Sequence, residues 1–454
     1  MGNLAGVPAA RLPVRVVVLN HNGGEHTVRA FRHLSRTEWP ADELELVCVD
    51  NASTDGSVEA LAAQMPTVAV RQVGRNEGFP ANNHALRDLD GVRYVALVNN
   101  DAFVEPGWLA PLVEALDDDP GLGAACPKLV FAPRFVDVSL SAPRFDPGPS
   151  DPRPLGVMVR GVEVDGRDAW RAAHASGGGH GREADAAGTF EWLAPEAVLR
   201  VPVDQDGGRR ATLWLQARST VTVTVDGGAG RRAATVGPSP TPVAVELAGE
   251  PYDVVNNVGS VLFDDGHGAD RGWLAADDGT WDAPVEVFAW CGGAVLLRRS
   301  YLDDVGLFDE RLFMYYEDTD LSWRGRLRGW RYVYEPGAVV RHHHAQSSGV
   351  GSPFFRFHTE RNRLLVLAKN APAGLAWRAG LGEVRRLVGA LARHYVIRPL
   401  TLRLPARAEV AHRWRVCRSY LRLLPGMLGD RWSTTPSVSR RSLMSWEVVK
   451  WPRA

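Results

Sequence analysis

Four short apolar runs in the first hundred residues each lead into Asn or Asp. Residues 14–19 run into Asn20, 44–49 into Asp50, 68–73 into a loop holding Asn76, and 94–98 into Asn99, Asn100 and Asp101. Runs of this length and β-branched content read as fully buried strands. The segments between them read as helices. Strands alternating with helices at short spacing predict βαβ units and a parallel sheet. Right-handed crossovers place the four polar loops on one edge of that sheet, where open α/β sheets bind ligands. Asp101, a carboxylate beside two amides, suits a hard divalent cation that also holds phosphate oxygens. Taken alone, the same stretch is an Asn/Asp turn into a helix near Pro106. Four such loops on one edge read as a nucleotide site.

A chain of 454 residues exceeds what one core usually supports, so two or three domains are expected. The texture changes near residue 137. Gly/Pro/Ser clusters are followed by short alternating runs at 197–203, 211–217, 221–225 and 243–247, separated by turns such as Asp206-Gly207-Gly208. This pattern predicts an inserted β-sandwich over 137–252. Its Trp170, Trp192 and Trp214 read first as core residues and second as sugar-stacking platforms. The last hundred residues read as helical and basic, with about 20 Lys/Arg against about 5 acids. Residues 381–396 and 414–424 mix apolar residues and Arg at near-helical spacing. That suits either a helix on an anionic membrane face or one packed on the core.

Net charge is −1 and no nucleic-acid module is recognisable, so a nucleic-acid partner is not expected. The four cysteines lie far apart without metal-ligand spacing and are read as reduced, which fits a cytosolic compartment. The N-terminal residues lack the apolar core of a signal peptide, and no run is long enough for a transmembrane helix.

A second polar cluster lies at Glu317, Asp318 and Asp320, immediately before a helical run at 321–327. By itself it is an acidic helix N-terminus favoured by the helix dipole. His342, His343 and His344 follow an apolar run at 332–340. Imidazole can complete a metal site shared with carboxylates. His342 is taken as the inward residue because it follows the strand directly.

The stretches VVLNHN (17–22), VDNASTDGS (49–57), RNEGFPANN (75–83), LVNNDA (97–102), the EDTD cluster and an Arg-Asn pair at 361–362 together resemble a family 2 glycosyltransferase with the GT-A fold. The similar branch is that of the rhamnosyl- and galactofuranosyltransferases. The resemblance covers roughly residues 14–136 and 254–370. It implies a mostly parallel, Rossmann-like α/β catalytic domain in two halves, 1–136 for the nucleotide and 253–353 for acceptor and catalysis. The β insert lies between them and a helical basic region, 354–454, follows. It also implies an inverting transfer from a nucleotide sugar (dTDP-rhamnose or a UDP-sugar) to a glycan or lipid-linked acceptor, with Mg2+ or Mn2+ as cofactor. Asp318 maps to the general base and Glu317 to its support. Asp50 maps to the base contact of the nucleotide. Asn20, Asn76, Gly78, Asn83, Asn100 and Asp101 map to the donor site, and Asp101 with His342 to the metal. The first acid of the family's metal motif is absent, since Asn99 and Asn100 precede Asp101. A cytoplasmic location, at the inner membrane face, is the corresponding expectation. Two rivals are a nucleotidyltransferase, for which the Gly-rich phosphate loop after the first strand is lacking, and a non-catalytic carbohydrate-binding protein.

Overall fold

The computed structural model describes residues 13–149, 151–204, 209–343, 352–400, 404 and 406–446. Two compact units divide the chain: Phe131–Val255 with Leu274–Asp278 form one, and the remainder forms the other.

The larger unit is built on a parallel-rich sheet. Strands β1 (Val14–Asn20), β2 (Leu44–Asp50), β3 (Ala69–Gln72) and β4 (Tyr94–Asn99) run parallel in the order β4-β1-β2-β3. They follow the predicted runs closely. Their register sets Asn20 beside Asp50, and Leu19 beside both Val49 and Asn99. The polar strand ends therefore lie level on one edge. Val16, Val18, Ala96 and Val98 are fully buried against Phe31, Leu34, Trp108 and Leu112. A sheet covered on both faces needs continuous rather than alternating apolar strands. Each such side chain contributes about 1.5–3 kcal/mol by leaving water.

The far side of this sheet is antiparallel. The Ala294–Arg298 strand pairs with β4, and the Arg331–His342 strand pairs with β5 (Ala102–Val104) in the register His342↔Ala102. Both come from the segment after the inserted unit. Their pairing returns residues about 200 to 240 positions downstream to the edge where β4 ends.

The smaller unit is antiparallel. Its ladders join nine strands in one sheet, seven along a single path and two branching from it, with the long Gly188–Val203 strand pairing with three neighbours. Val138, Val159, Leu199, Leu213 and Val223 fill its core. Of its three noted tryptophans only Trp192 is buried, packed with Leu155, Met158 and Phe190. Trp170 is half-buried under the Arg182 guanidinium, and Trp214 donates its indole N–H to Glu163.

Three long helices end the chain: Pro353–Asn370, Ala373–Ala392 and Arg407–Ser433. The first has a legible start. The Ser352 hydroxyl accepts from the Phe355 amide at 3.1 Å, and Pro353 occupies the first turn, where no N–H is required. No helix among the described residues is long and apolar enough to cross a membrane.

Candidate functional site

The loop after β1 is a closed hydrogen-bond knot centred on Asn20. Its side-chain N–H groups reach Asp50 (3.3 Å), the Ser53 hydroxyl (3.0 Å) and the Ser57 hydroxyl (2.9 Å). Its carbonyl accepts from the Thr27 hydroxyl (2.7 Å) and the Gly23 amide (3.2 Å). A fully buried amide must be satisfied in this way, so Asn20 shapes this edge of the sheet from beneath. The Asp50 carboxylate also accepts from the Ser53 amide and is buried at the level where β2 ends.

Asn76 bridges loops. Its carbonyl accepts from Asn51 and from the Gly78 amide, both at 2.9 Å, and its amide meets His21 at 3.0 Å. The amide of Asn100 lies 3.4 Å from the Thr27 hydroxyl. Asn83 has a different task from the donor contact expected of it. It is buried, donates to the Phe308 carbonyl (2.9 Å) and accepts from the Phe308 amide (3.1 Å). Both ends of the amide are thus used in pinning the end of the 75–83 loop to the segment that leads to the acids.

Gly78 is also explained by that segment. Its φ of 71° and ψ of −157° fall in a region essentially confined to glycine. A Cβ there would overlap the Phe313 carbonyl, which accepts from the Phe79 amide at 2.7 Å. Gly78→Ala is expected to cost at least about 1–3 kcal/mol, read as a lowered melting temperature in calorimetry, with loss of donor affinity following from the displaced loop.

The segment docked on Gly78 is strained. Phe313, Tyr315 and Tyr316 all take positive φ, between 65° and 69°, which is uncommon for bulky residues. The Asn362 side chain, wholly buried, donates to the carbonyls of Leu312 (2.8 Å), Met314 (2.8 Å) and Tyr315 (2.6 Å). Arg361 adds a bond to the Leu312 carbonyl at 2.7 Å. The Arg-Asn pair is therefore the clamp that holds the strained loop. Asn362→Leu is expected to cost about 1–3 kcal/mol for the carbonyls left unpaired. The acids follow this loop directly, so the kinetic effect is expected in kcat, with donor affinity unchanged in a calorimetric titration.

The clamp presents the Glu317–Arg328 helix, whose first turn carries three acids in three different settings. Asp320 is structural. It is fully buried and bonded to Lys369 (3.0 Å), Arg324 (2.8 Å) and Asn370 (2.8 Å). Burial opposes its charge, but Lys369 and Arg324 hold the carboxyl below its ordinary value. Glu317 has the opposite balance. Burial and the neighbouring Asp318 push it well up, and its Oε2 has no partner among the described residues, which favours the protonated acid. Asp318 is oriented but poised. Its Oδ2 accepts from the Gly292 amide (3.1 Å) and its Oδ1 from the Thr319 amide (2.6 Å) and hydroxyl (3.2 Å). Burial still raises its pKa against these bonds.

Gly292 and Gly293 join this carboxylate to the end of β4. The Asn99 amide donates to the Gly293 carbonyl at 3.0 Å, and a Cβ on Gly293 would lie 3.5 Å from the His342 ring. His342 Nε2 faces Asp101 Oδ1 at 3.2 Å, while its Nδ1 lies 3.0 Å from Asn256 Oδ1. With Nδ1–H donating to Asn256, Nε2 turns a lone pair toward a carboxylate oxygen. Such a pair calls for a proton or a cation between the two atoms. Burial works against ionisation of Asp101, yet the charge and hydrogen bond of His342 hold it below its ordinary value. One carboxylate and one imidazole form a donor set that fits Mg2+ or Mn2+ completed by diphosphate oxygens and water. No cluster of three His, Cys, Asp or Glu side chains able to hold a metal occurs among the described residues. His343 turns away, packed on His26 and Phe103 and pushed down to about 4 by burial and by nearby His26 and Arg29. His344 lies outside the described residues.

One acid escaped the sequence reading. Asp270, at the end of the short Gly268–Asp270 strand, accepts from Asn257 at 2.6 Å. Burial and the field of Asp318 raise its carboxyl to about 6, against the pull of Asn257 and His342. Desolvation, followed by Asp270 and Asp318, raises the thiol of the half-buried Cys291 beside Gly292. Asp270 thus belongs to the cluster that spans Asp318 and His342. Its only sequence signal was position, one of three acids (with Asp264 and Asp265) in a glycine-rich hairpin with no strand-end pattern. A cavity of about 470 Å³ lined by Gly24, His26, Arg29, Asp55 and Ser57 opens beside the first loops but includes none of these acids.

The family model described as Glycosyl transferase family 2 matches residues 15–136. N-acetylglucosaminyl-diphospho-decaprenol L-rhamnosyltransferases from two strains of Mycobacterium tuberculosis are 40% identical over 110 residues, covering 24% of this chain and 35% of theirs. The chain thus spans about a third of the length of the curated relatives it matches. Among solved structures, GalNAc-T7 with UDP, GalNAc and Mn2+ aligns at 15% identity and a TM-score of 0.46, covering 82% of this chain and 51% of that one. The mannosyltransferase PcManGT from Pyrobaculum calidifontis, in complex with GDP-Man and Mn2+, aligns at 16% and 0.38, covering 92% and 88%. Structural alignments at this level carry no functional weight. The sequence match falls on the segment that holds Asn20, Asp50, Asn76, Gly78 and Asp101, and over residues 15–136 the chain is similar to the family 2 glycosyl transferases.

Proposed function

We propose that this protein is a metal-dependent, inverting glycosyltransferase that moves a sugar from a nucleotide sugar to a hydroxyl of a lipid-linked glycan. The observation that carries the reading is the single edge shared by Asp318, fixed by Gly292 and Thr319, and by the Asp101–His342 pair. The partial match to rhamnosyltransferases acting on a diphospho-decaprenol acceptor makes a rhamnosyl donor and a prenyl-diphospho-N-acetylglucosamine acceptor the first pair to test.

In a single displacement, an Asp318 oxygen takes the proton of the acceptor hydroxyl. The acceptor oxygen bonds to the anomeric carbon as the bond from that carbon to the diphosphate oxygen breaks, and the nucleoside diphosphate leaves. Asp101 and His342 would hold Mg2+ or Mn2+, which when bound supplies positive charge to the departing diphosphate. Burial and the neighbouring Asp318 raise the Glu317 carboxyl, which favours its neutral form beside the base. Asp270, near both centres, is placed to orient the acceptor.

Calorimetric titration with a panel of nucleotide sugars, with and without Mn2+, tests the donor part. Binding of one nucleotide sugar that requires the metal supports the reading. Equal binding with and without metal, or none at all, would refute it.

A further inference from the structure

The C-terminal helices carry an apolar surface that neither the fold nor the proposed reaction uses. Along the Ala373–Ala392 helix and its continuation, Trp377, Leu381, Val384, Val388, Leu391 and Tyr395 recur every third or fourth residue. All six are exposed, Trp377 by 74% and Val388 by 59%. Residues at this spacing share one helix face. A separate face of the same helix is buried through Leu375, Leu387 and Ala390, so the packing of the helix is already accounted for. The neighbouring Arg407–Ser433 helix packs beside it and exposes Trp414, Leu421 and Trp432. Apolar stripes on this scale are unusual on a protein that meets only water.

The charge around the stripe selects its occupant. Arg378 and Arg385 flank it, Arg386 and Arg393 lie further round, and Arg415, Arg418 and Arg422 are exposed on the second helix. The acids of these helices have partners, Asp430 meeting Arg311 of another segment. Glu383 is buried with Arg386 and Arg413, and Glu409 pairs with His394. The face is therefore apolar and aromatic with a cationic border. Arginine stems lie along apolar surface while their heads reach phosphate, and Trp and Tyr favour the headgroup level. No described helix can span a bilayer, which leaves in-plane docking as the geometry available.

We infer that the face formed by Trp377, Val388, Leu391 and their arginine border docks on an anionic lipid bilayer as an in-plane membrane anchor. This goes beyond the transferase reading and stands on surface geometry alone. A lipid-linked acceptor would give it a purpose.

The test is flotation of the full chain with phosphatidylcholine vesicles, with and without phosphatidylglycerol. Flotation is expected with the anionic vesicles and is expected to weaken as salt rises. Each arginine near the surface is expected to be worth roughly fivefold in partitioning, so Arg378→Glu with Arg385→Glu lowers it at least about tenfold. The double variant Trp377→Glu/Val388→Glu is expected to stay in the aqueous fraction. Both variants should keep the circular dichroism spectrum and metal-dependent nucleotide-sugar binding of the parent, which separates failure of the anchor from failure of the active-site reading. Flotation independent of phosphatidylglycerol, or unchanged in either variant, would overturn the inference. So would a concentration-dependent dimer in light scattering that Trp377→Glu/Val388→Glu dissolves, because the occupant would then be a second copy of this chain.

Discussion

Asp318→Asn is expected to lower the transfer rate by about 10²–10⁴ while leaving nucleotide-sugar affinity within experimental error. Asparagine keeps the size of the side chain, and its carbonyl can still accept from the Thr319 amide. What it lacks is a basic oxygen for the acceptor proton. The pH profile provides the control. A base must be ionised, and burial raises the Asp318 carboxyl. The rate should therefore rise with pH along a limb whose midpoint lies above the ordinary aspartate value of about 3.9. That limb should be absent from the residual activity of the variant. Full activity in Asp318→Asn would remove Asp318 from the mechanism.

The second large effect is expected for Asp101→Ala. Asp101 supplies the carboxylate of the proposed metal pair, and the first acid of the family motif is replaced by amides at Asn99 and Asn100. With no nearby acid in that motif to compensate, the variant should lose metal-dependent donor binding, with transfer falling by at least about 10² as charge stabilisation of the leaving group is lost. His342→Ala should give a smaller loss of the same kind, since the carboxylate remains. Calorimetric titration of Mn2+ in the presence of nucleoside diphosphate reads this without reliance on turnover. Undiminished metal binding in Asp101→Ala would contradict the assignment.

The sheet was legible because a doubly covered strand must be largely apolar, and 14–19, 44–49 and 94–98 are, interrupted by Arg15 and Glu45, which pair with each other. The polar residues that stop them mark the strand ends within a residue. Asp101, His342 and Asp318 were legible for the same reason, each sitting where an apolar run or a helix begins or ends. The roles of the amides were not. Nothing local in the sequence reveals that Asn83 bonds to Phe308, 225 residues away, or that Asn362 clamps carbonyls of the 312–315 loop. Side-chain bonds to a distant backbone leave no periodicity. Asp270 was hidden because a two-strand hairpin, not a sheet edge, carries it inward. In the inserted unit strand positions were legible from alternation, but alternation does not specify pairing, so the order of strands in the nine-stranded sheet could not be read.

The central claim is that the shared edge of Asp318, Asp101 and His342 transfers a sugar with inversion. The most direct measurement mixes the purified protein with dTDP-rhamnose and a panel of UDP-sugars, a prenyl-diphospho-N-acetylglucosamine acceptor and Mn2+ or Mg2+, then reads the product's anomeric configuration by NMR. The account predicts one glycosylated lipid, formed only with metal and with configuration inverted relative to the donor. A retained configuration, or undiminished transfer in chelator, would contradict it.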